Sequence, residues 1–254
     1  MTLHLPIRRA HARRLATLVM AIAIATPSSA FAQSFPASGE AVIGAMHQRY
    51  ADTWYETVAF TETTQRRTPA DTMVTETWKE ALLIPGHLRI DIEGSNPKVS
   101  YICRGDSFFV VHGDSVTRLK QRNLLELMGF DVYRQPVQET LDVLQAQHFA
   151  LASVRSDMWE GRQVYVIGAA KGDLHSRQLW IDQDRLLFVR LLEPNAKDSA
   201  QTDEYRFDNY KLEPHGWLSE TVIGTTNGKV TLKEEYANVH INARLDPAMF
   251  VPPT

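Results

Sequence analysis

The chain has 254 residues, with 27 lysines and arginines against 30 aspartates and glutamates, and a single cysteine. One cysteine excludes an intramolecular disulfide, and the length is sufficient for a sizeable hydrophobic core without one. The balance of charge is slightly acidic. It argues against nucleic acid as a partner, because sequence-independent binding depends on basic patches.

The N-terminal segment has the three-part layout of a secretory signal peptide. Four arginines and no acidic residue accompany an apolar run over residues 15–25. That run is shorter than the ~20 residues that cross a bilayer as a helix. The triplet at 30–32, Ala-Phe-Ala, supplies the small-x-small cleavage pattern. We predict a signal peptide over 1–32, cleaved after Ala32, and a single domain over 33–254; the alternative is an uncleaved membrane anchor.

Cleavage changes the charge and the expected location. Removing the four arginines of residues 1–32 from the 27 basic residues leaves 23 against 30 acidic ones, a net charge of −7. Gln33 stands where a lipoprotein would carry its lipidated cysteine. We therefore predict a soluble, unanchored protein outside the cytoplasm.

The first predicted element of the mature chain is an amphipathic helix over 39–54, in which Val42, Met46, Tyr50 and Trp54 recur at helical spacing. Short runs rich in β-branched and aromatic residues follow, separated by turn pairs such as Gly-Asp and Pro-Gly. These predicted strands cover 57–65, 73–84, 87–93, 99–103, 107–112 and 115–119. The pattern is typical of a meander of antiparallel hairpins.

Two predicted helices, over 124–130 and 137–149, interrupt the strands. Strands resume at 150–155, 163–169, 176–181, 186–192, 203–212, 217–224 and 229–241. This order predicts an α+β fold rather than alternating α/β units. So many antiparallel strands are expected to curl into an incomplete β-barrel, with the helices as a lid over its concave face.

The concave face of such a sheet must be either packed or occupied by a ligand. The candidates to line an apolar cavity there are Trp78, Leu82, Leu88, Ile90, Phe109, Val111, Leu124, Leu127, Met128, Leu141, Leu144, Trp180, Leu187 and Val189. The alternative is that all of them are ordinary core, because strands always bury one face. The Leu- and Met-rich segment at 124–128 favours a cavity, since methionine adapts to variable apolar ligands.

Catalytic and metal-binding patterns are weak in this sequence. The Gly-Asp-Ser triplets at 105–107 and 113–115 are not G-x-S-x-G elbows, and Gly-Asp between strands is ordinary turn chemistry. The histidines form no metal-ligand spacing. Neighbouring acids such as Glu234 and Glu235 are interpreted as solvated strand faces. We predict no enzyme activity, no cofactor and no metal.

The order of several segments resembles the LolA/LolB-like periplasmic lipoprotein-carrier superfamily. The matching segments are the strand at 57–65, Pro85-Gly86-His87-Leu88-Arg89-Ile90, Arg104-Gly105-Asp106 with the strand to Val110, Leu179-Trp180-Ile181-Asp182 with the strand at 186–190, Tyr205 to Leu218, and the ending at 245–253. The resemblance implies an incomplete barrel with an apolar cavity under a helical lid, and binding of a lipid or an acylated protein without catalysis.

The same resemblance implies the partners and the alternatives. It implies a monomeric periplasmic carrier that exchanges its cargo with an inner-membrane export machine or an outer-membrane acceptor. Ile84 stands where the family's carriers have a basic residue, which favours a relative with a different lipidic cargo. The alternatives are an envelope sensor or regulatory module of the same fold and, with least support, a secreted hydrolase.

Overall fold

The computed structural model describes residues 35–253, so the predicted signal peptide lies outside the described residues. The described helices are α1 (Gly39–Tyr50), α2 (Leu124–Gly129) and α3 (Val137–Ala146), with short 3₁₀ helices at Asp131–Tyr133 and Pro247–Phe250. The strands are β1 (Thr57–Arg67), β2 (Met73–Leu83), β3 (His87–Ile92), β4 (Val99–Arg104), β5 (Ser107–His112), β6 (Ser115–Lys120), β7 (Val154–Trp159), β8 (Arg162–Ile167), β9 (Gln178–Asp182), β10 (Phe188–Pro194), β11 (Thr202–Glu213), β12 (Gly216–Thr226) and β13 (Lys229–Ile241).

The thirteen strands of the described residues form one antiparallel sheet, in the order β6-β5-β4-β3-β2-β1-β13-β12-β11-β10-β9-β8-β7. The first and last strands of the chain, β1 and β13, pair at the middle of the sheet. β6 and β7 are its two edges, so the sheet curls without closing. The predicted fold class, an α+β incomplete barrel, is confirmed.

The main hydrophobic core lies between the sheet and the helices. In β1 the buried side chains alternate, with Val58, Phe60, Glu62 and Thr64 turned to one face, as the two-residue period of a strand requires. The same face of the sheet packs against buried residues of all three α-helices. We call this the concave face, and we call α2, the 3₁₀ turn and α3 the lid.

A smaller apolar cluster covers the opposite face of β8, β9 and β10. It contains Val164, Val166, Trp180, Val189 and Leu192. The guanidinium of Arg190 lies over both Trp180 and Trp159, at 4.6 Å and 4.0 Å from the ring centroids. β9 is therefore buried on both faces, and its residues do not alternate between buried and exposed.

The predicted limits of the helices and strands differ from the structure mainly at helix ends. α1 ends at Tyr50 rather than Trp54, because the chain turns there and Trp54 stacks on Tyr133 with 3.9 Å between centroids. α3 ends at Ala146, and residues 147–153 turn rather than begin a strand. The turn includes His148 at φ 64°, and its Leu151 carbonyl accepts from the Gly39 amide at 2.7 Å.

The helices of the described residues are all too short or too polar to cross a bilayer. From Pro36 onward, the described residues form one compact unit.

Candidate functional site

The lid helix α2 is short and is fixed at its start by a side-chain cap. The Asn123 side-chain oxygen accepts from the amides of Leu125 and Glu126, at 3.0 Å and 3.3 Å. Leu127 and Met128 are fully buried against the concave face. At the end of α2, a Cβ on Gly129 would lie 2.7 Å from the Phe207 ring, so the helix backbone approaches β11 closely.

A buried ionic contact ties this lid helix to the turns of the sheet. Arg122, which precedes α2, forms an ion pair with Asp131, which follows it, and their side chains are 7% and 1% exposed. Arg122 also donates to the Gly105 carbonyl at 3.0 Å, and Asp131 accepts from the Gly86 amide at 3.0 Å. We call Arg122, Asp131 and these two backbone contacts the latch. Gly86 of the latch follows Ile84 by two residues, and Ile84 is itself a buried core residue.

The structure divides the predicted lining residues between two faces. Those on the concave face or on the lid are Trp78, Leu82, Leu88, Ile90, Leu124, Leu127, Met128, Leu141, Leu144 and Leu187. Phe109, Val111, Trp180 and Val189 lie on the opposite face by strand alternation, so they do not share this space. Both faces are buried in places, which is why apolar pattern alone did not separate the two sets.

The space under the lid is nearly filled. The described residues leave a cavity of about 70 Å³ between α2 and the sheet. Of the predicted lining residues only Leu88 and Ile90 border it, and the others pack against each other. Pockets for small ligands are usually ~300–1,000 Å³, so the described conformation is closed.

Three buried glutamates border this closed space and a fourth, Glu62, lies beside them on β1; the sequence analysis did not find them as a group. Glu62, Glu80 and Glu234 are 1%, 8% and 9% exposed and lie on three adjacent strands. Glu80 pairs with Phe60, and Glu234 pairs with Thr64, so each is diagonal to Glu62. Glu126 of α2 is 2% exposed and faces them across the cavity. We call these residues the glutamate cluster.

Burial raises the pKa of each carboxyl in the cluster. Loss of hydration raises the pKa of Glu62 to about 7, although a hydrogen bond from Thr64 at 2.9 Å opposes the shift. Burial and then the nearby Asp131 raise the pKa of Glu126 to about 8. For Glu80 and Glu234 the pKa rises well above the usual value, through burial first and repulsion from Glu62 second.

The interpretation of Glu234 as a solvated residue is wrong. Glu235 is exposed and bonds Lys233, whereas Glu234 is turned to the opposite, buried face of β13. A sequence signal did exist. Glu62 alternates with Phe60, Glu80 lies between Trp78 and Leu82 at strand spacing, and such a position on an apolar face predicts burial.

The residues considered as catalytic or metal-binding candidates lie in ordinary turns and hairpins. Gly105 and Gly113 have φ of 55° and 59° in tight hairpins. The Ser107 hydroxyl donates to Asp106 at 3.1 Å and accepts from Arg118 at 2.8 Å, while the His87 ring bonds the Pro85 carbonyl. Among the described residues, His, Cys, Asp and Glu form no group of three or more suited to a metal ion. Cys103 is free and buried.

The described residues thus form an open antiparallel barrel with lid helices on its concave face. No protein-family model matches the chain, and no curated protein matches its sequence. Solved structures do match. An outer-membrane lipoprotein-sorting protein domain from Vibrio parahaemolyticus gives a TM-score of 0.57 at 11% identity, over 82% of this chain and 94% of that one.

Two further structures have the same arrangement. A LolA superfamily protein from Nitrosomonas europaea gives a TM-score of 0.53 at 9% identity, over 83% of this chain and 97% of that one. A DUF1329 family protein from Desulfovibrio piger gives 0.56 at 14% identity, over 84% and 95%. At these identities the likeness is one of fold, and it confirms the resemblance drawn from the sequence segments.

Proposed function

We propose that this protein is a periplasmic carrier or binding protein for a lipid or a lipid-modified protein, which it holds under the lid without covalent chemistry. One observation carries the proposal: a six-residue helix with an apolar underside closes the concave face and is held by a localised latch. The fold shared with the lipoprotein-sorting and LolA superfamily structures supports it.

Cargo entry requires the lid to move, because the closed cavity of about 70 Å³ is too small for an acyl chain. Burying a chain of about twelve carbons gains roughly 10 kcal/mol, at about 0.8 kcal/mol per CH₂. Breaking a buried ion pair costs about 3–5 kcal/mol. Chain burial is thus large enough to offset the loss of the latch, and the empty protein remains closed.

The N-terminal sequence and the fold support the proposed location and the proposed partners. A signal peptide over 1–32, with Gln33 in place of a lipidated cysteine, would release a soluble protein into the periplasm. An unanchored monomer can exchange cargo between an inner-membrane export machine and an outer-membrane acceptor.

A second candidate function, an envelope sensor or regulatory module, is favoured by one observation. Every residue of the edge strand β6 is exposed, including Val116 and Leu119. An exposed edge can pair with an extended segment of a partner protein. Binding to such a peptide that survives when the concave face is blocked by ligand would favour this role.

The carrier proposal is tested by mass spectrometry of organic extracts from protein purified without detergent. A co-purified lipid in stoichiometric amount is the expected result. A matched purification of Leu127→Glu, which places a charge on the fully buried underside of α2, should lose it. If the unmodified protein yields no lipid and takes up no added acyl probe, the proposal fails.

A further inference from the structure

The cavity under the lid combines an apolar wall with carboxyl groups, and among the described residues only Glu126 has a cation, Arg122, within 4 Å. Leu88, Ile90 and Phe207 form part of one side, and Glu80, Glu126 and Glu234 border the same space. Oε1 of Glu126 and Oε2 of Glu62 are fully buried and accept no hydrogen bond within the described residues. An unsatisfied buried acceptor is costly, so it points to a missing partner.

The carboxyls around the cavity have almost no basic group among the described residues to pair with when they ionise. Arg122 lies 3.5 Å from Oε2 of Glu126, but its main partner is Asp131, so it does not offset the cluster. The titratable groups that face this region from the packed elements are Glu62, Glu80, Cys103, Arg122, Glu126, Asp131, Tyr205, Glu234 and Tyr236. Acids far outnumber bases in this set, which favours a cationic ligand group.

We propose that the glutamate cluster binds the primary ammonium group of a cationic amphiphile, whose apolar chain lies along the concave face under the displaced lid. This inference rests on the proposed function and narrows its cargo to chains that carry a positively charged amine.

The size and the chemistry of the cavity favour an ammonium group over other cations. Its volume of about 70 Å³ has room for a small group such as –NH₃⁺ with its first methylene, and not for a longer chain. An ammonium offers three donors to acceptor-only carboxylates. A hard metal ion needs about six oxygen ligands, and the described residues hold no group arranged for one.

Binding of an ammonium group should release a proton from the cluster. In the empty protein the buried carboxyls hold protons near neutral pH. The bound ammonium stabilises the ionised form of one carboxyl, so that group loses a proton to the buffer. One proton is therefore released for each ligand bound, and affinity rises about tenfold per pH unit between pH 5.5 and 6.5.

The test is isothermal titration of the detergent-free protein, after removal of co-purified lipid, at pH 6.5 in two buffers that differ in ionisation enthalpy. The probes are dodecylammonium, dodecanol and laurate, which share one chain length, and ethylammonium, which lacks the chain. We expect dodecylammonium to bind at least tenfold more tightly than the other three, with release of one proton.

Three variants separate the cluster from general charge effects. Glu126→Gln and Glu234→Gln keep the side-chain shape, and each should reduce dodecylammonium affinity tenfold or more. The variant that replaces the carboxyl that ionises should also abolish proton release. Glu235→Gln removes a carboxylate from the exposed face of β13, the strand that carries Glu234. It should change neither the affinity for dodecylammonium nor the proton release.

The outcomes distinguish this inference from the proposed function. Equal binding of dodecanol, laurate and dodecylammonium would overturn the ammonium site and leave the carrier function standing. Equal affinity for ethylammonium and dodecylammonium would show that the apolar chain adds nothing to binding, and would overturn the proposal that the ligand is an amphiphile. Binding of none of the chain-bearing probes would overturn the carrier function itself.

Discussion

Arg122 and Asp131 form a buried ion pair that joins the two ends of helix α2. Through it the short helix is tied to the Gly86 and Gly105 turns rather than only to its own neighbours in sequence. The pair therefore fixes the position of the lid over the concave face. Because it is localised, a single substitution can test how the lid is held.

Replacing Arg122 by alanine should weaken both the fold and the lid. Asp131 would be left buried without its cation, and we expect the free energy of unfolding at pH 7.5 to fall by about 3–5 kcal/mol. Urea denaturation measures this change. Arg118→Ala, which removes an exposed guanidinium bonded to Ser107, is the matched control and should cost less than ~0.5 kcal/mol. Equal losses in the two variants would show that the latch has no special role.

Cys103 should report lid opening, because it is the only cysteine and is buried under α2. Asn123 Nδ2, at the start of α2, lies 3.8 Å from its sulfur. Burial raises the pKa of the thiol, so little reactive thiolate forms while the lid is closed. We expect slow labelling by a thiol reagent in the native protein, and labelling at least tenfold faster in Arg122→Ala. The same slow rate in both proteins would mean that the latch does not control access.

Stability should fall as pH rises from about 5 to about 7. The folded-state pKa values of Glu62 and Glu126, about 7 and about 8, lie above the unfolded value near ~4.3. Within that window the folded protein keeps protons that the unfolded chain has released, so raising the pH favours unfolding. Thermal melts measured at half-unit intervals of pH should show this decline.

Substitution of single glutamates assigns the pH dependence to the cluster. Glu62→Gln or Glu126→Gln should each reduce the slope by about 1.4 kcal/mol per pH unit between pH 5 and 6.5. The exposed Glu235→Gln should leave the slope unchanged. A flat profile in the unsubstituted protein would rule out raised pKa values in these carboxyls.

The start of α1 should not tolerate a side chain at Gly39. A Cβ there would lie 2.4 Å from the Ile167 side chain and 2.7 Å from the Leu151 carbonyl oxygen. We expect Gly39→Ala to lower the free energy of unfolding by about 1–3 kcal/mol. Gly44 lies in the same helix with open space around it, so Gly44→Ala should instead raise it by about 0.5–1 kcal/mol. Chemical denaturation of the two variants tests whether the start of α1 packs against Ile167 and Leu151 as described.

The strand pattern of the sequence predicted most of the sheet, because its hairpins are local and marked by turn residues. It could not predict the end of α1, where Trp54 stacks on Tyr133, or the start of β7, which follows the contact between Gly39 and Leu151. Both contacts join residues that lie far apart in the chain. Nor could alternation show which face of β9 meets the lid, because a second cluster around Trp180 buries the other face as well.

The candidate site was only partly predictable from sequence. Apolar residues of the lid, such as Leu127 and Met128, were found from helical spacing. The glutamate cluster was missed because its strands meet through pairing of the chain's first and last strands, which places Glu62 beside Glu234. The latch was missed for a related reason, since its contacts to Gly86 and Gly105 depend on how the lid folds back on the sheet.

The binding of a fluorescent acyl-chain probe to detergent-free protein tests the central claim most directly. The account predicts saturable binding of one probe per chain, and faster association in Arg122→Ala because its lid opens more readily. Competition by an unlabelled amphiphile should release the probe. The absence of saturable binding in both the unmodified protein and Arg122→Ala would contradict the account.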